Sequence, residues 1–198
     1  MILYSIQLIA SDTVESVIAR MKTQTATKIA YTETRDMGLF SDTWQATGVL
    51  YAQPPNIMLK QQQQPTVEIM AIEADQLYYH KPATDTFHQM QFDENNEMMA
   101  SIIIFKGLMT GDSHYLRQFY TLSIKNSAQN WSLLMEEKNP DSEQQGLKII
   151  IQGMPEQAAH SISITLPDGD EESYALSPPE HNPYFKQLNS LLNALKSH

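Results

Sequence analysis

The 198-residue sequence contains no cysteine, which excludes disulfides, thiol catalysis and cysteine-ligated zinc. Basic residues are scarce: 13 Lys and Arg stand against 23 Asp and Glu, and the formal net charge of −10 argues against binding nucleic acid or an anionic lipid surface through charge alone. No apolar run approaches the roughly 20 residues that span a bilayer, so the sequence does not predict an integral membrane protein. The lack of cysteine does not identify the compartment, since both secreted and cytosolic chains can lack it.

Apolar residues make up 41% of the chain and charged residues 18%, which predicts a folded protein rather than a disordered one. We expect residues 1–198 to form a single domain, with a core over about residues 12–176. The composition is unusual in its methionine, with 11 residues. The first segment, Met1 to Ser11, is apolar and ends on small residues without a preceding basic region. It is interpreted either as the remainder of a secretory signal or as an ordinary first segment.

Helical spacing occurs at both ends of the chain. Asp12 as N-cap and Glu15 as its reciprocal partner predict a first helix over about 12–25. A last helix is predicted over about 183–197, because its leucines and aromatic residues form one apolar stripe. In mid-chain, Asp112 is predicted to cap a short helix. The apolar run from Met98 to Met109 fits either a buried strand or a buried helix.

Alternating apolar and polar residues, with turn residues between them, predict an antiparallel sheet. Six strands come before any second helix, which implies a sheet that is sharply twisted or curled. An Asp168-Gly169 hairpin turn is expected near the end of the sheet. The predicted strands begin near Lys28 and then cover Trp44–Tyr51, Ile57–Lys60, Thr66–Ile72, Leu77–His80, Thr86–Met90, Tyr120–Ile124, Trp131–Met135, Leu147–Ile151 and Ser161–Thr165.

Landmark residues from about Val14 to Leu176 resemble, in order and spacing, those of a known family. They are Tyr31-x-Glu33-x-Arg35; Gly48-x-Leu50 with Pro55 and Lys60; Pro65-x-x-Glu68 with Asp75-x-Leu77; Leu108-x-x-Gly111-Asp112-x-x-x-Leu116-x-x-x-Tyr120; Trp131-x-Leu133-x-Met135 with Lys138 and Pro140; and Ile162-x-Ile164 with Asp168-Gly169-Asp170. The chain resembles a divergent branch of the LolA family, the periplasmic carriers of outer-membrane lipoproteins. The resemblance implies an α+β fold: an incomplete, strongly curved antiparallel β-barrel with a helical lid over an acyl-chain cavity, here with N- and C-terminal helices. It also implies that residues 95–109 are helical.

The second turn departs from the family pattern. Classical carriers have an arginine directly before the proline of this turn, where it bonds to the lid and holds the empty state closed. In this sequence that position aligns with Pro54, so the latch is missing. A carrier or sensor of another lipid or acyl compound is therefore as plausible as a lipoprotein carrier.

A cavity for acyl chains needs apolar walls that adapt to different shapes, which the flexible thioether of methionine provides. Seven methionines lie on predicted strands or on the predicted lid, although they could instead fill an irregular core: Met58, Met70, Met90, Met98, Met99, Met109 and Met135. On the strands, alternation and the methionine pattern suggest Leu50, Met58, Ile69, Leu77 and Met90 as lining residues. On the lid, the candidates are Met99, Ile102, Ile103, Phe105, Leu108 and Met109.

Catalytic and metal sites are not predicted. Gly111-Asp112-Ser113-His114 resembles the opening motif of a lipase-esterase family, but the Asp-x-x-His that this motif needs does not follow it, so a helix cap explains Asp112 better. His80 and His88 are expected to face each other across a hairpin, without a third ligand. The acidic turn around Asp168 lacks the spacing of an EF-hand loop. We therefore expect no enzyme activity, cofactor or metal.

Two hypotheses follow from the sequence. The first is a monomeric periplasmic carrier that binds lipid or lipoprotein acyl chains and exchanges them with a membrane-protein donor or acceptor. The alternative is a non-enzymatic lipid-sensing or protein-interaction module on the same scaffold, which docks a partner through the C-terminal helix.

Overall fold

A computed structural model describes residues 11–36, 43–92, 100–140 and 146–197. Its helices are α1 (Val14–Met21), α2 (Ala100–Thr110), α3 (Ser113–Phe119) and α4 (Lys186–Lys196), with a 3₁₀ turn at Pro82–Thr84. Its strands are β1 (Thr27–Asp36), β2 (Trp44–Gln53), β3 (Ile57–Gln64), β4 (Glu68–Glu73), β5 (Gln76–Lys81), β6 (Thr86–Gln91), β7 (Tyr120–Asn126), β8 (Trp131–Glu137), β9 (Lys148–Gly153), β10 (Ala159–Thr165), β11 (Glu171–Leu176) and β12 (Glu180–His181).

The strands form one antiparallel sheet that does not close on itself. Its order is β6-β5-β4-β3-β2-β1-β11-β10-β9-β8-β7, and the short β12 also pairs with β1. The chain thus starts in the middle of the sheet, builds one half out to the edge at β6, passes through α2 and α3, and builds the other half back from β7. This confirms the predicted α+β fold, an incomplete antiparallel barrel with helices over its opening.

The two faces of the sheet are covered by different helices. The inner face packs against α1, α2 and α3 in the main core, in which Leu116, Leu133, Met135 and Ile149 have no exposed surface. The outer face of β2 to β5 packs against α4 instead. Much of the sheet is therefore apolar on both sides.

A first helix is confirmed, but its N-cap lies one residue later than predicted, and it ends at Met21 rather than at about residue 25. Thr13 is the N-cap: its hydroxyl accepts from the backbone N–H of Ser16 at 3.1 Å, and the Ser16 hydroxyl accepts from the Thr13 N–H at 2.9 Å. The predicted pair of Asp12 and Glu15 is wrong. Asp12 instead forms an ion pair with Arg20 in the last turn of the helix, at 2.6 Å.

The apolar run is helical from Ala100 onward, and a glycine sets how closely the lid helices α2 and α3 pack. A Cβ on Gly107 of α2 would lie 2.3 Å from Cδ2 of Leu116 on α3. Asp112 caps α3 as predicted, accepting from the N–H of Tyr115 at 2.8 Å. The predicted first segment up to residue 10 and the lid residues Met98 and Met99 lie outside the described residues.

The C-terminal helix α4 covers the chain's own sheet. Leu188, Leu192 and Leu195 of its apolar stripe are 0%, 4% and 1% exposed, and they pack on the outer face of the sheet. Lys196 also forms an ion pair with Glu73 on β4. The predicted stripe is confirmed, and its buried part contacts the domain itself.

The two hairpin histidines do not face each other, which corrects the sequence prediction. In the β5–β6 register His80 lies opposite Phe87 and His88 lies opposite Tyr79, so the two histidines are on opposite faces. The His88 ring stacks on Tyr79, with centroids 6.2 Å apart.

Candidate functional site

A cavity of about 910 Å³ lies between the inner face of the sheet and the helices, a volume in the range of small-molecule sites. Its walls are mainly aliphatic side chains and thioethers from both layers. From the helices come Met21, Ile103, Ile104, Phe105, Leu108 and Met109, and from the sheet come Ile29, Leu50, Met58, Met70, Ile72, Ile162, Ile164 and Leu176.

The structure brings six of the eleven predicted lining residues together around this cavity: Leu50, Met58, Ile103, Phe105, Leu108 and Met109. Leu77 is on the inner face but packs beside the cavity, in a small cluster with Ile72. Ile102 belongs to α2, although its side chain is not among those described, and Met99 lies outside the described residues.

The predicted position of Ile69 in the cavity is wrong. In the register of β4, Ile69 pairs with Gln61 and lies on the outer face, where it packs in the cluster that includes the α4 leucines. Its neighbours Met70 and Ile72 point to the cavity instead. Met90, on the edge strand β6, is 43% exposed and does not line the cavity.

Methionine is concentrated at the cavity. Four of the seven methionines in the described part of the chain line its walls: Met21, Met58, Met70 and Met109. Met135 is fully buried in the main core, whereas Met90 and Met154 are exposed. These four methionines, from one end of α1, from β3 and β4 and from α2, thus share one cavity wall.

The lining residues that were not predicted come from the helices and from both halves of the sheet, and those of the second half are Ile162, Ile164 and Leu176. Ile162 and Ile164 on β10 alternate with serine and threonine, and this pattern could have shown that they share a face. Their position opposite Leu50 and Met58 depends on the pairing of β1 with β11, which joins segments about 140 residues apart and cannot be found from local spacing.

One end of the cavity is polar and is built around a buried carboxylate. The Glu33 side chain has no exposed surface; Oε1 accepts from Nη2 of Arg35 at 2.7 Å, and Oε2 accepts from Nζ of Lys60 at 2.8 Å. Nε of Arg35 also lies 3.2 Å from Oε1 of Glu172. Lys60 donates to the hydroxyl of Tyr174 at 3.3 Å. These five residues are called the Glu33 cluster below.

The cluster changes the proton affinities of its members. Burial alone would raise the pKa of Glu33, but the charge and hydrogen bond of Lys60, together with those of Arg35, outweigh it and hold this pKa below its usual value. Burial, reinforced by the nearby Glu33 carboxylate, raises the pKa of Tyr174 well above its usual value. At neutral pH Glu33 is therefore ionised and Tyr174 keeps its proton.

The helices over the cavity are tied to one another by polar contacts. The backbone N–H of Thr23, just after α1, donates to the carbonyl of Met109 in α2 at 2.8 Å. Arg117 in α3 forms an ion pair with Glu15 in α1 at 2.8 Å. These contacts join the end of α1 to α2 and the start of α1 to α3.

No cluster of metal-ligating side chains is found in residues 11–36, 43–92, 100–140 and 146–197. Within the same residues, the search for a helix long and apolar enough to cross a membrane finds none.

An open antiparallel sheet with helices over an apolar cavity is the architecture of the lipoprotein-carrier fold. Residues 9–173 match the sequence profile described as outer membrane lipoprotein carrier protein LolA-like. The chain therefore belongs to the LolA-like family, as its landmark residues indicated. A search of curated proteins finds no significant match.

Solved structures with little sequence identity share the fold. A DUF1329 family protein from Desulfovibrio piger is 10% identical, with a TM-score of 0.54 over 91% of this chain and 97% of that one. A LolA superfamily protein from Nitrosomonas europaea is 6% identical, with a TM-score of 0.50 over 87% and 93%. A domain named for outer membrane lipoprotein sorting, from Vibrio parahaemolyticus, is 11% identical, with a TM-score of 0.50 over 90% and 94%.

Proposed function

We propose that the protein is a periplasmic carrier that binds the acyl chains of a lipid or lipoprotein in the cavity beneath α2 and α3. The observation that carries the proposal is the cavity itself: about 910 Å³, with aliphatic and methionine walls, in a member of the LolA-like family. Each buried methylene of a ligand contributes on the order of 0.8 kcal/mol, so a long chain binds tightly without a specific polar contact.

Release of such a ligand requires the helical layer to open or a better acceptor to take the chain. The net charge of −10 opposes direct docking on an anionic membrane, which favours a monomeric carrier that meets its donor and acceptor through membrane proteins. The proposal assigns no catalytic residue and no cofactor.

A second candidate, a module that docks a partner through its C-terminal helix, finds less support. The leucine stripe that would form the docking surface is buried on the outer face of the sheet. In that helix and the residues just before it, Tyr184 is the large apolar side chain that stays exposed, at 61%. This packing favours a structural role for α4.

The proposal is tested with a substitution that fills the cavity. Met58 is half-buried on the cavity wall, so Met58→Trp narrows the space available to an acyl chain. We expect this variant to fold and to bind the neutral apolar probe N-phenyl-1-naphthylamine, and hexadecan-1-ol competing with it, at least about tenfold more weakly than the native protein, since many chain methylenes lose contact.

Val67→Trp is the matched control. Val67 is 41% exposed and lies just before β4, so the same ring there leaves the cavity unchanged. Native affinity in Val67→Trp together with weakened affinity in Met58→Trp supports the proposal. Equal affinity in all three proteins, or no binding to the native protein, contradicts it.

A further inference from the structure

We propose that Lys60 and Arg35 form a subsite for the anionic head of the bound amphiphile, a carboxylate or a phosphate. This inference rests on the proposed function, because it assumes that an acyl chain occupies the apolar part of the same cavity. It adds a class of ligand: amphiphiles with a negatively charged head are preferred over neutral ones with the same chain.

Within the Glu33 cluster, the two cations are exposed to the cavity, whereas the Glu33 carboxylate is buried. Glu33 has no exposed side-chain surface, and each of its oxygens already accepts from a cation. Arg35 and Lys60 keep 42% and 27% of their side chains exposed, and both line the cavity. The buried carboxylate therefore holds two cations in place while the cations themselves remain accessible to a ligand.

Both cations have donors left for a ligand. Lys60 has three N–H groups, and its contacts with Glu33 and Tyr174 use two of them. The contacts of Arg35 with Glu33 and Glu172 use Nε and Nη2, so Nη1 has no acceptor among the residues that the structure describes. Hydrogen bonds from such charged donors to an anion are shorter and stronger than those between neutral groups.

The subsite lies next to the apolar wall on the same face of the sheet. In the strand register, Lys60 is directly paired with Leu50 on one side and Met70 on the other. Met58, two residues earlier on β3, is about 7 Å away along the strand, given the rise per residue. An amphiphile with its head at Lys60 therefore has its first methylenes against these three side chains.

The basic side chains at the cavity wall are Arg20, Lys22, Arg35 and Lys60, and the acidic ones are Glu137 and Glu172. Glu33 and Glu172 pair with Lys60 and Arg35, and Asp12 pairs with Arg20, so the wall carries no large net positive charge. An anionic head is therefore favoured by the N–H donors that Lys60 and Arg35 have left, since hydrogen bonds from charged donors to an anion are strong.

The test compares three amphiphiles with one C16 chain: palmitate, hexadecyl phosphate and hexadecan-1-ol, each displacing N-phenyl-1-naphthylamine at neutral pH. The variant is Glu33→Gln with Lys60→Gln, which removes a buried pair without leaving an unpaired charge. The matched control is Lys28→Gln with Glu180→Gln, which removes an exposed ion pair outside the cluster. The two arms with anionic heads distinguish a carboxylate from a phosphate as the source of the charge.

We expect the native protein and the control to bind at least one of the two anionic amphiphiles about tenfold more tightly than the alcohol, the range of a charged hydrogen bond. The cluster variant keeps Arg35, paired with Glu172, so it should show a clearly smaller preference and keep its affinity for the alcohol. Equal affinity for all three ligands in the native protein, or an undiminished preference in the cluster variant, overturns the subsite and leaves the proposed carrier function standing. If the alcohol also fails to bind, both proposals fail.

Discussion

Glu33 is the residue on which the polar end of the cavity depends. It is fully buried, and two cations from its own and another strand satisfy its oxygens. Removing one member of a buried ion pair leaves a charge without a partner in a poorly solvated place, which costs several kcal/mol. Glu33, Arg35 and Lys60 are landmark residues whose role the local sequence does not indicate, because Tyr174 and Glu172 reach them only through the β1–β11 pairing.

We predict that Glu33→Gln lowers the free energy of unfolding at pH 7 by roughly 3 kcal/mol, because Lys60 and Arg35 lose their shared anion. Urea denaturation measures this change. The comparison variant is Glu180→Gln, which removes an exposed pair with Lys28 and should cost no more than about 1 kcal/mol. Equal costs for the two variants contradict the role given to Glu33.

The same carboxylate predicts a dependence of stability on pH. The pKa of Glu33 is lower in the folded state than in the unfolded state, so its contribution is fully present above the unfolded value and is lost as the pH falls through the folded value. Native stability should therefore fall on acidification below the usual range of glutamate, and Glu33→Gln should fall less steeply there. Unfolding curves at a series of acidic pH values measure the difference, and parallel losses in both proteins contradict it.

At the scale of elements, the close packing of α2 on α3 positions the apolar side chains above the cavity. We predict that Gly107→Ala destabilises the protein by about 1–3 kcal/mol, since the new methyl group overlaps the Leu116 side chain. The same substitution in a Leu116→Ala background should cost less, because the overlapping atoms are gone. A double-mutant cycle of thermal unfolding measures the coupling, and additive effects contradict the predicted contact.

Helix α4 is predicted to stabilise the sheet from outside. Leu192→Ala should lower the free energy of unfolding by about 2–5 kcal/mol, as expected for a buried leucine. Asn193→Ala, next to it on the exposed side, should stay within about 0.5 kcal/mol. If chemical denaturation shows that neither substitution changes the free energy of unfolding, the packing of α4 does not stabilise the sheet.

The packing of α4 on the outer face of the sheet also explains why the strands could be predicted from the sequence while some side chains were assigned to the wrong face. Strands were found because alternation and turn residues are local signals, and the β-meander from Trp44 to Met90 follows the chain order. The face of β4 was predicted wrongly because both of its faces are apolar. Ile69 and Ala71 pack in the cluster under α4, whereas Met70 and Ile72 line the cavity. A strand buried on both faces carries no alternation that could decide between them.

At the scale of the whole molecule, the chain is acidic and contains no cysteine, and four of the seven methionines in its described residues line the cavity. The sheet is open, its two edge strands are joined through the lid helices, and the cavity lies between the layers. The cavity combines apolar walls with the charged Glu33 cluster. The fold is that of the LolA-like family, whereas the covering helix α4 follows the residues that match the family profile.

The central claim is that this cavity holds an acyl chain, and mass spectrometry of protein purified from cells without detergent tests it most directly. We predict that native spectra of the wild-type protein show a bound mass, that organic extraction releases it as an amphiphile with a long acyl chain, and that Met58→Trp carries much less of it than Val67→Trp. Wild-type protein that is repeatedly recovered empty, and that takes up no lipid from added vesicles, would contradict the claim.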